Sequence, residues 1–143
     1  MSDKIKVGCG VLLFNDKGQI LLHERIGDHG KNTFGSGGGH LEFNETPEQC
    51  VSRELKEEMM IDIGELEYLG TVNFITGNKH YIDISFRGKI LSGIPTVPED
   101  EKDKIGSIDW YDTSNLPEPL FPPVKLYLDM IETGNRYMEI IVE

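Results

Sequence analysis

Three glutamates stand close together in one predicted helical segment of the chain. At about 100° per residue, Glu54, Glu57 and Glu58 cover about a third of the helix circumference. They adjoin the apolar stripe that includes Val51 and Leu55, so their mutual repulsion lies beside the predicted buried face. A solvated acidic face is the ordinary interpretation of such a cluster, but it does not explain this position. A bound Mg²⁺ or Mn²⁺ does, because these hard cations take several oxygen ligands.

A glycine-rich loop precedes the acidic segment. Residues 27–39 contain almost no apolar side chains and six glycines: Gly27, Gly30, Gly35, Gly37, Gly38 and Gly39. Because glycine has no Cβ, such a backbone can approach a metal ion or a phosphate without a side-chain clash. Loop and helix together predict a cradle for a metal-bound phosphate.

The helix that carries the glutamates has a clear start signal. Thr46 is suited to the N-cap, Pro47 to the first helical position, and Gln49 closes a capping box with Thr46. These residues predict a helix from Pro47 to about Met59 or Met60. The acidic face is therefore expected on a rigid element.

Four strands are predicted around this helix. Residues 7–14 and 19–25 are rich in apolar and β-branched side chains, and the turn residues 15–18 between them predict a β-hairpin. Residues 66–75 and 79–91 predict a second pair of strands joined at residues 76–78. A sheet of this size can support the acidic helix.

The last third of the chain is predicted as loop, strand and helix. Residues 95–104 form a charged loop and residues 105–111 a short strand. Residues 116–123 contain four prolines, which predicts an extended connection because proline excludes both helix interior and sheet ladder. A helix is expected over residues 124–132, ended by Gly134.

Composition and charge limit the class of protein. A chain of 143 residues is expected to form one domain, and a net charge of −11 with a pI near 4.7 argues against binding to a nucleic acid polymer or an anionic membrane. Cys9 and Cys50 match no close-spaced metal motif and suit a reducing compartment. No apolar run is long enough for a signal peptide or a membrane span, so a soluble, cytoplasmic protein is expected.

The acidic segment and its flanks resemble the Nudix box, the signature of hydrolases that cleave a nucleoside diphosphate linked to another group. The residues at the spacing of that box are Gly39, Glu45, Arg53, Glu54, Leu55, Glu57, Glu58 and Ile61. Residues 38–43, 80–84 and 110–121 are similar to the MutT-related nucleoside triphosphate diphosphatases. The likeness therefore spans most of the chain.

The resemblance implies a fold and an activity. The fold is a Nudix-type α/β/α sandwich, with a mixed β-sheet between helices, over the single domain 1–143. The activity is Mg²⁺-dependent hydrolysis of a nucleoside triphosphate, including an oxidised or otherwise modified one, to a nucleoside monophosphate and pyrophosphate. Mn²⁺ is the alternative cofactor. A nucleotide is the expected partner, and a homodimer is left open.

The resemblance also assigns roles to residues of the acidic segment. Glu54, Glu57 and Glu58 match the metal ligands of the family, and Glu54 is also a candidate to orient or deprotonate the attacking water. Arg53 matches the arginine that holds a box glutamate, and Glu45 matches the glutamate that ties the loop to the helix. Four residues, Arg53, Glu54, Glu57 and Glu58, are thus expected to carry the catalysis.

Further ligands and substrate contacts are expected outside the helix. The backbone carbonyl of Gly38 or Gly39 is a further metal ligand by resemblance, and Glu101 or Glu99 is a late acidic ligand. The predicted substrate contacts are Arg25, Phe34, His40, His80 and Tyr81. Surface placement is the alternative for Arg25, and an ordinary half-buried strand is the alternative for His80 and Tyr81. Phe34 is favoured for base stacking because an isolated aromatic in a glycine loop has little core to join.

Two features of the sequence leave alternatives open. The box normally has glycine where this chain has Met60, so either the helix continues toward Gly64 or Met60 takes a strained left-handed conformation. The substrate could instead be a dinucleotide or a nucleoside diphosphate sugar such as ADP-ribose, although residues 61–79 lack the proline typical of that subfamily. A catalytically weak nucleotide-binding module is the third alternative, and the intact glutamates weigh against it.

Overall fold

Two β-sheets lie between two helices in the computed structural model, which describes residues 3–142. The elements in chain order are β1 (Ile5–Leu13), β2 (Ile20–Arg25), β3 (Thr33–Gly35), β4 (Gly38–His40), α1 (Pro47–Met59), β5 (Asp62–Thr76), β6 (Lys79–Ser92), a short 3-10 helix (Glu99–Glu101), β7 (Ile105–Tyr111), α2 (Pro122–Thr133) and β8 (Tyr137–Val142). The first sheet is mixed, with strand order β4-β1-β6-β5-β8, and the second is antiparallel, with order β3-β2-β7.

The core is divided between the two faces of the sheets. Alternate residues of β1 point to opposite faces, so Val11 and Leu13 pack with α1 while Leu12 packs with α2. The same alternation in β2 sends Leu21 to the α1 side and Leu22 to the α2 side. This arrangement confirms the predicted α/β/α sandwich.

Helix α1 begins as predicted. The Gln49 backbone N–H donates to Thr46 Oγ1 at 3.1 Å, and the Thr46 N–H donates to Gln49 Oε1 at 2.9 Å. Both halves of the capping box are therefore present, with Pro47 in the first turn. The helix buries Val51 and Leu55 against the sheets, which fixes the direction of its acidic face.

The helix ends at Met60, which takes the left-handed conformation with φ 60° and ψ 36°. Its backbone N–H donates to Lys56 O at 3.1 Å, so the last turn is closed and the helix does not continue toward Gly64. A non-glycine residue in this region costs roughly 1–2 kcal/mol. Met60 therefore carries the strain that the family's glycine avoids.

Replacing Met60 with glycine is expected to raise the free energy of unfolding by up to about 1 kcal/mol, because the strain is removed and the 53% exposed side chain contributes little to the core. Turnover should stay within about tenfold, because no ligand changes. Urea denaturation of both proteins measures the first quantity. Met60→Ala, which keeps the strain, is the matched control, and equal gains from alanine and glycine would contradict the explanation.

The predicted hairpin of residues 7–25 is wrong. The turn itself forms, with the Asn15 N–H donating to Gln19 O at 3.1 Å, but only a single bridge, between Phe14 and Ile20, follows it. Strand β1 then enters the mixed sheet and β2 the antiparallel sheet. Both strands are apolar on both faces because each is an inner strand of its own sheet, β1 between β4 and β6 and β2 between β3 and β7, with a core on either side.

Other elements differ from expectation at their bounds. The second strand pair is confirmed, with Thr76 opposite Lys79, although β5 begins at Asp62. Two short strands, β3 and β4, lie within the predicted glycine loop. The extended connection predicted over residues 116–123 ends before its last two residues. Pro122 and Pro123 form the first turn of α2, where their missing N–H groups cost nothing. Strand β8 was not predicted.

Two further findings concern the chain as a whole. Both cysteines are free and buried, Cys9 in β1 and Cys50 in α1. Within residues 3–142 the helices are too short or too polar to cross a membrane.

Candidate active site

A cleft of about 550 Å³ opens beside the acidic face of α1. Its lining comes from the end of β2 and the following loop, from α1, and from the segment that leads into β7. The residues are His23, Arg25, Ile26, Gly27, Asp28, His29, Glu54, Glu58, Glu101, Asp103, Lys104 and Ile105. Carboxylates of α1 and of the 3-10 helix therefore share the cleft with cations of β2 and of the segment before β7.

Glu58 is the most strongly perturbed carboxylate of the cleft. Burial raises its pKa to about 8, and the charges of Glu54 and Glu101 act in the same direction. The Gly38 N–H donates to Glu58 Oε1 at 3.1 Å, which opposes this shift only in part. The carboxylates of the cleft thus repel one another in the absence of an added cation.

Arg53 holds the surrounding carboxylates in place. Its Nε and Nη2 donate to the two oxygens of Glu45 at 2.7 and 3.1 Å, and its Nη1 donates to Glu54 Oε1 at 2.9 Å. The same Nη1 lies 3.4 Å from Glu57 Oε2, and Nη2 donates to His40 O at 3.2 Å. This hydrogen bonding lowers the pKa of Glu45 to about 2 and raises the pKa of Arg53. One guanidinium therefore joins the loop to the helix.

The glycines of the loop are required by close backbone approach. A Cβ on Gly39 would overlap the Glu54 carboxylate, and a Cβ on Gly38, at φ 145°, would overlap the Cys9 carbonyl oxygen. Gly37, at φ 109°, lies against the Leu55 side chain. Only a chain without side chains at these positions can lie this close to the acidic face.

Comparison with known proteins identifies the arrangement. The NUDIX domain model matches residues 4–129. The chain belongs to the Nudix family. A MutT Nudix hydrolase from Burkholderia pseudomallei has a similar structure, with a TM-score of 0.82 and 29% identity, over 90% of this chain and 98% of that one. The fold and the box residues of this chain are those of a Nudix domain.

Curated relatives match smaller parts of this Nudix protein. It is 35% identical over 69 residues to the RNA pyrophosphohydrolase of Marinomonas sp. (strain MWYL1). These 69 residues are 48% of this chain and 41% of that protein. It is 34% identical over 79 residues to the NAD-capped RNA hydrolase NudC of Pseudomonas aeruginosa (strain LESB58), 55% of this chain and 27% of that protein. The matches thus span less than half the length of these relatives.

The oxygen donors of the Nudix domain fit a hard divalent cation. Glu54, Glu58 and Glu101 line one cleft and repel one another, and the backbone of Gly39 lies against Glu54. Such an all-oxygen set suits Mg²⁺ or Mn²⁺. Within residues 3–142, no three His, Cys, Asp or Glu side chains already surround one point, and Arg53 still holds Glu54. A cation would compete with that guanidinium for the carboxylate.

Of the other predicted acidic ligands, Glu57, Glu99 and Glu101, one lines the cleft and two do not. Glu57 contacts Arg53, but its side chain is 55% exposed and does not line the cleft. Glu99 is 89% exposed and forms an ion pair with Lys102, whereas Glu101 lines the cleft. Of the two late candidates, the structure therefore brings only Glu101 to Glu54 and Glu58.

Arg25 lies in the cleft rather than on the open surface. Its Nε and Nη2 donate to His29 O at 3.3 and 3.0 Å, and its guanidinium carbon lies 4.0 Å from the centroid of the Phe121 ring. Burial lowers its pKa, while the negative charge of Glu58 acts in the opposite direction. The guanidinium is thus held in position beside the carboxylates, as a phosphate contact requires.

The other four predicted substrate contacts do not line this cleft. Phe34 pairs with Glu24, on the opposite face of β2 from Arg25, and packs in the α2-side core 6.1 Å from Tyr111. The premise that Phe34 has no core to join is therefore wrong. Nε2 of His80 lies within hydrogen-bonding distance of Asn73 Oδ1. The remaining two, His40 and Tyr81, stack on each other away from the cleft.

Several cleft residues were missed by the sequence interpretation. They are His23, Asp28, His29, Asp103 and Lys104. A usable signal existed for His23, which shares a strand face with Arg25, and for His29, which stands between Gly27 and Gly30. No local pattern joins Asp103 and Lys104 to residues eighty positions earlier in the chain.

His23 is a buried histidine with an unpaired ring nitrogen. It is 2% exposed, and within the described residues its Nδ1 has no hydrogen-bond partner. Burial lowers its pKa to about 4, the Arg25 charge acts in the same direction, and a hydrogen bond to the Gly35 backbone opposes both. The imidazole is therefore neutral at pH 7.

We expect the titration of His23 to make the free energy of unfolding depend on pH. The imidazole titrates near 6.5 when unfolded and near 4 when folded, so between these values the unfolded chain binds more protons. His23 should cost the fold about 3 kcal/mol as the pH falls from 6.5 to 4. Urea denaturation of the wild type and of His23→Leu across this range measures the difference. The wild type should lose stability more steeply, and parallel curves would contradict the assignment.

Proposed function

We propose that this Nudix hydrolase cleaves a nucleoside triphosphate to a nucleoside monophosphate and pyrophosphate in a Mg²⁺-dependent reaction. The observation that carries the proposal is the pairing of charges in one cleft. Glu54, Glu58 and Glu101 supply oxygen ligands, while Arg25 and Lys104 supply cations. A polyphosphate needs both. Some of its oxygens bind the metal ion that the carboxylates hold, and its other oxygens bind the cationic side chains directly.

Each group has a separate task in this proposal. Mg²⁺ held by Glu54, Glu58 and Glu101, with the Gly38 or Gly39 carbonyl and, on the resemblance alone, Glu57, would neutralise phosphate charge and lower the pKa of water. Arg25 binds a phosphate oxygen from the opposite side. Arg53 is a positioning residue, because it contacts Glu54 and not the cleft.

The bond that breaks belongs to the oxygen bridge between the α- and β-phosphorus atoms. Water attacks one of them, its proton passes to Glu54, and the bond from that phosphorus to the bridging oxygen breaks. For attack at the α-phosphorus the leaving group is pyrophosphate. The cleft volume of about 550 Å³ suits one nucleotide better than two, which favours a triphosphate over a dinucleotide.

The 5′ end of an RNA is a second candidate substrate. Its support is the similarity to proteins named RNA pyrophosphohydrolase, which includes 47% identity over 58 residues to that of Acinetobacter baylyi (strain ATCC 33305 / BD413 / ADP1). The net charge of −11 argues against it, because an RNA chain needs a cationic path beyond the cleft. A nucleoside diphosphate sugar such as ADP-ribose remains the third candidate.

One experiment tests all three candidates. The enzyme is incubated with Mg²⁺ and nucleoside triphosphates, ADP-ribose or a 5′-triphosphorylated RNA in ¹⁸O-labelled water, and the products are weighed by mass spectrometry. A label in the monophosphate or the pyrophosphate from a triphosphate supports the proposal. A label in free phosphate from an intact triphosphate, or turnover confined to RNA or ADP-ribose, would overturn it.

A further inference from the structure

The two cysteines of the chain lie together in the core between the glycine loop and α1. Cys9 of β1 and Cys50 of α1 belong to the same cluster of buried side chains, and they are 3% and 0% exposed. Cys9 pairs with Gly39 of β4. Because Gly39 has no side chain, α1 packs closely on the strands here. The Cys9 thiol therefore faces the start of the helix directly.

The Cys50 thiol has three hydrogen-bond acceptors around it. Two are backbone carbonyl oxygens, His40 O at 3.4 Å and Gly39 O at 3.8 Å from its Sγ. The third is the sulfur of Cys9, whose pKa is lowered chiefly by this hydrogen bond. The two sulfurs are thus neighbours, and a disulfide forms between sulfurs that already lie close together.

Cys50 also contacts the network that orders the acidic face. Arg53 Nη2 donates to His40 O at 3.2 Å and lies 3.8 Å from Cys50 Sγ. Nη1 of the same guanidinium donates to Glu54 Oε1 at 2.9 Å. A displacement of Cys50 therefore affects both the carbonyl groups of β4 and the guanidinium that holds Glu54.

We propose that Cys9 and Cys50 form a redox modification site, in which a peroxide converts the two thiols to an internal disulfide that lowers the activity of the neighbouring cleft. With hydrogen peroxide, the thiolate of one cysteine attacks an oxygen, the O–O bond breaks, and a sulfenic acid and one water form. The second sulfur attacks the sulfenic sulfur, the S–S bond forms, and a second water leaves. The two sulfurs lose two electrons in all, and the peroxide gains them.

The disulfide changes the site through its length and through the proton that it removes. An S–S bond is about 2.05 Å long, shorter than any contact between unbonded sulfurs, so the start of α1 must move toward β1. The Cys50 proton is lost, so His40 O and Gly39 O lose their thiol donor. Glu54 lies one turn further along the same helix. Its carboxylate and the Gly39 carbonyl are then less well placed for a common cation.

Burial determines how fast the site responds. Buried thiols react slowly, because an oxidant reaches them only when the protein opens locally. Sustained exposure to peroxide is therefore needed, and a short exposure should have little effect. The regulation rests on the proposed function, whereas the disulfide itself does not.

A thiol titration tests the modification without relying on hydrolysis. Folded protein is kept with excess hydrogen peroxide for hours, and is then unfolded in urea and titrated for free thiols. The chain has two cysteines, so the count should fall from two to zero, and a proteolytic digest should contain one peptide pair linked through Cys9 and Cys50. Two free thiols after this treatment would overturn the proposal, as would sulfinic acids or links between chains in place of the internal disulfide.

Rate measurements test the regulation. Oxidised wild type should hydrolyse a nucleoside triphosphate at least about tenfold more slowly and need more Mg²⁺ for its half-maximal rate, and dithiothreitol should restore both. Cys9→Ala keeps the hydrogen bonds of Cys50 to β4 but cannot form the disulfide, so the same treatment should slow it by less than about twofold. This variant also measures any effect of methionine oxidation, which dithiothreitol does not reverse.

The results separate this proposal from the proposed function. Full activity of the oxidised, disulfide-linked wild type would overturn the regulation, as would an equal loss of rate in Cys9→Ala. If the disulfide forms but neither the reduced nor the oxidised protein hydrolyses a triphosphate, the proposed function fails and the modification site stands.

Discussion

Glu58→Gln is expected to lower kcat by at least about a hundredfold at saturating Mg²⁺. The substitution keeps the size of the side chain and its hydrogen bond from Gly38, but removes the carboxyl group that can ionise when a cation binds. Loss of one charge-stabilising group in a preorganised site has effects of this size. Glu57→Gln should share the loss, since the resemblance gives Glu57 the same task.

A control variant and a measurement in excess chelator accompany this prediction. Glu48→Gln changes an exposed glutamate of the same helix, far from the cleft, and should leave kcat within about twofold. Steady-state rates with a nucleoside triphosphate, measured for all variants at one Mg²⁺ concentration, provide the test. Full wild-type activity in excess chelator would contradict the need for a divalent cation, and full activity of Glu58→Gln would contradict the role of this carboxylate.

Arg53→Lys is expected to lower kcat by about 10- to 100-fold, although the positive charge is kept. A lysine has a single ammonium group and cannot join both oxygens of Glu45 to Glu54 at once. The loop and the helix would then be less well aligned, and outer partners of a metal site commonly have effects of this size. The loss should appear in kcat and in the Mg²⁺ concentration needed for half-maximal rate.

A matched substitution exists elsewhere in the sheet. Arg87 lies over the Phe14 ring, 4.6 Å from its centroid, and outside the cleft. Arg87→Lys should therefore change stability slightly and leave the Mg²⁺ dependence unchanged. Equal Mg²⁺ dependence for wild type and Arg53→Lys would show that Arg53 supports folding alone.

Elements set by local signals could be predicted from the sequence. The capping box placed the start of α1, and the turn at residues 76–78 placed the β5–β6 hairpin. The end of α1 was left as two alternatives, because the choice depends on whether Met60 can bear a positive φ. The packing of Leu55 and Met59 against the sheets fixes that end and decides the matter.

Elements set by distant contacts could not be predicted. The turn after Phe14 indicates a reversal of the chain, but not that the two strands join different sheets. Strand β8 is defined by its pairing with β5, which no neighbouring residue indicates. Phe34 has no apolar neighbours in the sequence, yet it packs against Tyr111 because β2 lies between their strands.

The candidate site divides in the same way. The box glutamates follow one another on a single helix, so their spacing alone brought Glu54 and Glu58 together. Lys104 joins them only because β7 pairs with β2.

The Arg53 network also bears on how the protein exists before it meets its cofactor. Arg53 acts as an internal counter-ion for Glu45, Glu54 and Glu57, so its single positive charge offsets part of the negative charge of the acidic face in the absence of metal. We therefore expect the chain to fold without metal, unlike small domains that assemble around zinc. On the proposed function, we then expect the divalent cation to arrive and leave with the substrate and not to be a permanent part of the fold.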